Sequence, residues 1–134
     1  MLPDFDDDGN LPLGIHRATI EEVVARFGRG SPERRIEAQE LIDFVAWARK
    51  AKVGRLLVNG SFATNKKAPN DVDVVILPTA ATLEDSGFGQ FDEVAWPFLQ
   101  VLVAADDEDF EAWGTNDFAT DRQGRPKGVV EIIL

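Results

Sequence analysis

Two short β-rich runs, 55–59 and 71–77, constrain the fold most because only eleven residues separate them. Each run is too brief and too rich in β-branched and aliphatic side chains for a core helix, so each predicts a strand. The second run opens with Asp71-Val72-Asp73. Side chains alternate across a strand, so Asp71 and Asp73 would share one face, about 6–7 Å apart at Cα. Both carboxylates could therefore reach one hard cation.

The remaining sequence predicts helices before these strands and more strands after them. Thr19 and Glu22 fit a capping box that opens a helix ending near Phe27, and Ser31-Pro32 opens a second helix that ends near Gly54. Further along, the patterns predict strands over 98–104 and 129–134, helices over 91–96 and 106–118, a loop over 79–90 with one possible helical turn near Leu83, and a turn-rich connection over 120–128. The sequence predicts a single α/β (α+β) domain over 1–134, with a small mixed sheet flanked by helices and an extended arm over 1–18.

The composition excludes several classes of function. The chain has 24 acidic and 14 basic residues, for a net charge of −10, which repels nucleic acid and anionic lipid. Extended nucleic-acid binding is therefore not expected. The absence of cysteine excludes disulfides and thiolate metal sites. The acidic start does not match a signal peptide and the apolar runs are too short for a bilayer, so a cytoplasmic protein without membrane contact is expected.

The end of the first strand offers groups that suit a phosphate. Gly60 lets the backbone come close to a bound anion, and Ser61 supplies a hydroxyl and an N–H group. Asn59 and Thr64 add polar groups nearby. In the loop that follows, Lys66 and Lys67 could contact a triphosphate.

These residues carry a resemblance to a known superfamily. Gly60-Ser61 followed after nine residues by Asp71-Val72-Asp73 resembles the nucleotidyltransferase superfamily that includes DNA polymerase beta and the minimal nucleotidyltransferases of bacteria. In that superfamily a Gly-Ser pair ends one strand, and an Asp-x-Asp follows on the next. Residues 11–19 and 124–130 also look like the opening and close of an uncharacterised bacterial branch.

The resemblance implies a metal-dependent enzyme. It would move a nucleoside monophosphate from a nucleoside triphosphate to an acceptor on protein or RNA, with Mg²⁺ or Mn²⁺ held by Asp71 and Asp73. Gly60 and Ser61 would hold the β- and γ-phosphates. Similar small bacterial proteins occur in toxin–antitoxin or phage-defence pairs, so a protein partner is also implied.

One feature of the superfamily has no clear match. Active members carry a third carboxylate on a later strand, yet 99–105 contains no acid. Asp106, Asp107 and Glu131 are the candidates, with Asp106 as a supporting metal ligand. The alternative is a catalytically degenerate module that keeps the fold and regulates a protein partner. Two readings also stay open for the basic residues Arg122, Arg125 and Lys127, which could clamp phosphate or be solvated.

Overall fold

A computed structural model describes residues 2–69, 72–91 and 94–134 of the chain. Its centre is a five-stranded mixed sheet. In chain order the strands are β1 (Ile15–Ala18), β2 (Arg55–Asn59), β3 (Val72–Leu77), β4 (Leu99–Val103) and β5 (Val129–Ile132). They lie side by side in the order β1-β5-β2-β3-β4. Strand β2 is antiparallel to β3 and β5, whereas β1 pairs with β5, and β3 with β4, in parallel.

The helices begin at the capping residues that the sequence predicts. Helix α1 (Ile20–Phe27) opens with the complete Thr19 and Glu22 capping box. Helix α2 (Pro32–Lys50) opens with the Ser31 hydroxyl accepting a hydrogen bond from the Arg34 N–H. The other helical segments are α3 (Ala80–Leu83), α4 (Asp107–Ala112), a 3₁₀ turn (Ser61–Ala63) and a π-helical turn (Trp113–Asp117). The predicted α+β class is confirmed.

Two layers of helix cover the two faces of the sheet. On one face, β2 and β3 turn buried residues toward α1 and α2, including Leu56, Val58, Val72, Val74 and Ile76. On the other face, Leu57, Val75 and Val129 pack against Phe110 of α4. This alternation puts 72, 74 and 76 on the face of β3 that packs under α1 and α2. No helix in the described parts of the chain is long and apolar enough to cross a bilayer.

Two local expectations differ from the structure. Residues 15–18, expected to belong to an extended arm, form the edge strand β1, because their partner strand β5 lies more than 100 residues later and no local pattern reveals it. Leu11, in the same arm, is fully buried. The helix predicted over 91–96 is absent from its described part, where residues 94–95 form a turn ahead of Pro97.

Candidate functional site

The end of β2 and the start of β3 bring the main predicted residues together. Asn59, the last residue of β2, lies opposite Asp73 in the antiparallel register. Gly60 follows with φ +84° and ψ −175°, a conformation that essentially only glycine adopts. A Cβ atom on Gly60 would lie 3.0 Å from Asp73 Oδ2. The predicted proximity of the Gly-Ser turn to Asp73 is therefore confirmed, whereas Asp71 and Asn70 lie outside the described residues.

These residues open onto a polar cleft of about 610 Å³ on the α4 side of the sheet. Helix α4 covers only the half of this face that lies away from Gly60, around Leu57 and Phe110. The near half is walled by the loop after Ser61, by the connection 118–127 and by Asp8 and Asn10 of the N-terminal segment. Predicted residues that line the cleft are Asn59, Gly60, Ser61, Thr64, Lys66, Asp73, Arg122, Arg125 and Lys127.

Asn59 carries a buried oxygen that faces the cleft without a partner. Its side chain is only 3% exposed, and Oδ1 makes no hydrogen bond to any described residue. A buried amide oxygen without a partner costs free energy, so such an atom is typically satisfied by a bound water, ion or ligand. Together with the adjacent Asp73 carboxylate, it offers hard oxygen donors of the kind that Mg²⁺ prefers.

Lys127 places a buried positive charge beside these oxygens. Its side chain is 7% exposed. Burial lowers the pKa of Lys127, while the nearby carboxylates of Asp73 and Asp121 raise it in part. Of the two interpretations of Lys127, solvation is therefore excluded, because the residue is buried in the lining of the cleft that also contains Asp73.

The far wall of the cleft is a turn braced by hydrogen bonds. Asp121 accepts hydrogen bonds from Arg125 Nε at 2.7 Å and from Asn10 Nδ2 at 3.0 Å. Burial alone would raise the pKa of Asp121, but hydrogen bonds from Arg125, Asn10 and Gln123 hold it well below its usual range. Arg125 also pairs with Asp8 at 3.2 Å. The carboxylate is therefore a fixed anion that orients Arg125 within the wall.

The described lining carries more positive than negative charge. Lys66, Arg122, Arg125 and Lys127 face three carboxylates, those of Asp8, Asp73 and Asp121. The whole chain has a net charge of −10. A cleft with a local positive excess on such an acidic protein favours an anionic ligand.

Two predicted binding residues lie elsewhere. Lys67 follows Lys66 in sequence but lines a separate pocket, because the chain bends at residues 67–68. Asp106 caps helix α4 by accepting a hydrogen bond from the Asp109 N–H. Since β4 runs parallel to β3, Asp106 lies beyond the end of the sheet opposite to Asp73. The structure therefore does not bring Asp106 to the predicted metal site.

The other two candidates for a third carboxylate bind Arg55. Glu131 accepts two hydrogen bonds from Arg55, at 2.9 and 2.7 Å, and Asp107 pairs with Arg55 at 3.2 Å. Arg55 opens β2, about 13 Å along the strand from Asn59. Opposite Asp73 on β4, the register places Gln100. No described residue of β4 supplies the acid, and no three described acidic, histidine or cysteine side chains form a group that could hold a metal.

Several lining residues were not predicted from the sequence. Asp8, Asn10 and Asp121 come from opposite ends of the chain and meet only through the fold. The turn at Asp121 does carry a local signal, because its carboxylate accepts the N–H groups of Gln123 and Arg125, as Asp commonly does in turns. That signal predicts the turn but not its place beside Asp73.

Fold and site together define an α+β domain with a polar cleft, lined by more basic than acidic described residues, at one end of a mixed sheet. The chain belongs to the family of unknown function DUF6932, whose match spans residues 3–133. No curated protein and no solved structure matches the sequence.

Gly60→Ala tests how closely the turn approaches Asp73. We expect a loss of about 1–3 kcal/mol in the free energy of unfolding, because Ala is strained at this backbone conformation. Its Cβ atom would also push against Asp73. Gly89→Ala is the matched control, since Gly89 has a similar φ of +88° but no atom within 4 Å of its would-be Cβ. Urea unfolding of both variants gives the comparison, and equal losses would contradict the contact.

Proposed function

We propose that this protein is a metal-dependent nucleotidyltransferase that uses a nucleoside triphosphate and acts in the cytoplasm on a protein or RNA acceptor. The observation that carries the proposal is the buried Asn59 Oδ1, which has no hydrogen-bond partner among the described residues and lies on the strand position opposite Asp73, directly before the Gly60-Ser61 turn. This places oxygen donors for a cation next to backbone and hydroxyl groups for phosphate. The resemblance to nucleotidyltransferases rests on Gly60, Ser61 and Asp73 together with Asp71.

Each group in the cleft has a role in this proposal. Asp73 and Asn59 would hold Mg²⁺, which when bound offsets the charge of a triphosphate and of its leaving group. Ser61 and the backbone at Gly60 would donate to phosphate oxygens. Lys127 and Lys66 would neutralise the triphosphate from opposite walls. Arg125, oriented by Asp121, would contribute donors in a fixed direction.

In the proposed reaction, these groups hold the triphosphate while an acceptor hydroxyl attacks it. The acceptor hydroxyl oxygen forms a bond to the α-phosphorus, while the bond from that phosphorus to the oxygen bridging to the β-phosphate breaks. Pyrophosphate leaves, and the hydroxyl proton passes to solvent. Positioning and charge neutralisation supply most of the rate enhancement in such reactions.

Two labels on the triphosphate test the reaction. The full chain is incubated with Mg²⁺, bacterial lysate as acceptor source, and each of the four nucleoside triphosphates labelled at either the α- or the γ-phosphate. Nucleotidyl transfer puts the α-label on a macromolecule and the γ-label in pyrophosphate. Transfer of the γ-label instead would indicate a kinase and contradict the proposal.

A second candidate is a non-catalytic module that binds a nucleotide and regulates a protein partner. Gln100 favours it, because the register position opposite Asp73 on β4 carries an amide where an active member of the superfamily would be expected to carry an acid. The discriminating result is binding without transfer. Calorimetry with a non-hydrolysable magnesium nucleotide would then show affinity, while neither label leaves the nucleotide.

A further inference from the structure

A second pocket, of about 390 Å³, lies on the other side of the loop from the cleft. It is formed where the end of α1 meets the N-terminal segment and residues 64–67. Thr64 and Asn65 line both this pocket and the cleft. The second pocket is therefore a neighbour of the proposed nucleotide site but opens separately.

All the charged residues in the described lining of the second pocket are cationic. Arg26, Arg29, Arg34 and Lys67 contribute to the described lining, and no carboxylate does. The ion pairs found among the described residues involve Arg55 and Arg125, and none of these four. Glu37 offsets part of the charge of Arg34, so Arg26, Arg29 and Lys67 supply most of the positive charge of the pocket, on a chain of net charge −10.

Two of the three guanidinium groups are held in place before any ligand arrives. Arg26 lies over the Phe5 ring, 4.5 Å from its centroid, and donates to the Pro3 carbonyl at 2.7 Å. Arg34 is 5% exposed, and its N–H groups already donate to backbone carbonyls, so it contributes positive charge rather than free donors. Arg26 is a donor that is already held in place, so it loses little conformational entropy on binding. Arg29 and Lys67 are exposed and free to close on a ligand.

We propose that the second pocket binds a small phosphate-bearing anion, independently of the nucleotide in the cleft. Phosphate matches guanidinium and ammonium donors in charge and in hydrogen-bond geometry. A small ligand is favoured over a nucleic-acid strand, because the remaining acidic surface repels an extended polyanion. The site does not depend on the cleft being an active transferase.

The test is a titration of the ¹⁵N-labelled full chain with pyrophosphate in the presence of EDTA, followed by amide NMR shifts. Arg29→Gln/Lys67→Gln should weaken binding at least about tenfold, because two charge-assisted contacts are lost. Lys50→Gln/Lys52→Gln removes the same charge at the far end of α2 and should change the affinity less than about twofold. The largest shifts should fall at Gly30 and residues 64–67.

Three results would overturn the proposal. Equal weakening in the two double variants would mean that pyrophosphate responds only to overall charge. Shifts confined to Gly60, Ser61 and residues 120–127 would assign the anion to the cleft instead. Tight binding of an oligonucleotide that lacks terminal phosphate, with no response to pyrophosphate, would indicate a nucleic-acid surface. Matching melting temperatures of the variants and the native chain exclude misfolding as the cause.

Discussion

Asp73→Asn should lower nucleotidyl transfer by about 10²–10³-fold. The substitution keeps the shape of the side chain but removes the negative charge that lies beside Asn59 Oδ1 and Lys127. Without it the described groups next to Asn59 Oδ1 offer a cation only neutral oxygens, and Lys127 loses one of the two carboxylates that offset its charge. Binding of magnesium nucleotide should weaken together with the rate.

The measurement is transfer of the α-label under saturating Mg²⁺, with calorimetry of nucleotide binding alongside. Asp43→Asn is the matched control, because Asp43 lies on the exposed face of α2, where its carboxylate accepts a hydrogen bond from Gln39. It should retain activity within about twofold, in line with the small effects of surface substitutions. Full activity in Asp73→Asn would remove the basis for the proposed function.

The sequence predicts the part of the site whose residues lie close to one another along the chain. Gly60, Ser61 and Asp73 lie on adjacent strands joined by one loop, so strand alternation and the Gly-Ser ending are enough to bring them together. The helix starts at Thr19 and Ser31 are equally local, because each cap bonds within four residues. For such features, short-range hydrogen bonding decides the structure.

The parts that the sequence does not predict depend on contacts between distant residues. Asn10 and Asp121 meet across 111 residues, and β1 pairs with β5 at the opposite end of the chain. The choice of Asp106 as a metal ligand fails for the same reason. Its nearness to β4 in sequence says nothing about which end of β4 faces Asp73, and the parallel pairing of β3 with β4 puts Asp106 at the wrong end.

The loop that carries Ser61 and Lys66 is held by a buried arginine. Arg34 of α2 donates through Nη1 to the carbonyls of Phe27 at 3.0 Å and Phe62 at 2.8 Å. Through Nη2 it donates to the Thr64 carbonyl at 2.7 Å, and through Nε to the Lys66 carbonyl at 3.0 Å. One planar group thus joins the end of α1 to the loop beside the cleft.

Arg34→Met should lower the free energy of unfolding by about 3–5 kcal/mol, the largest stability loss that we expect from any single substitution considered. Methionine fills a similar volume, so the loss comes mainly from carbonyls left without donors in a buried space. Urea unfolding measures it. Arg35→Met, one residue along the same helix but exposed, should stay within about 0.5 kcal/mol.

Arg34→Lys distinguishes the effect of Arg34 on folding stability from its effect on the position of the loop. Lysine keeps the positive charge, yet its single ammonium group cannot reach all the carbonyls that lie around the edge of the guanidinium group. This variant should fold with an intermediate loss of stability, while its loop no longer fixes Ser61 and Lys66 against the cleft. Magnesium-nucleotide affinity should then fall although Asp73 is intact. Native affinity in Arg34→Lys would mean that the loop holds its position without the guanidinium group.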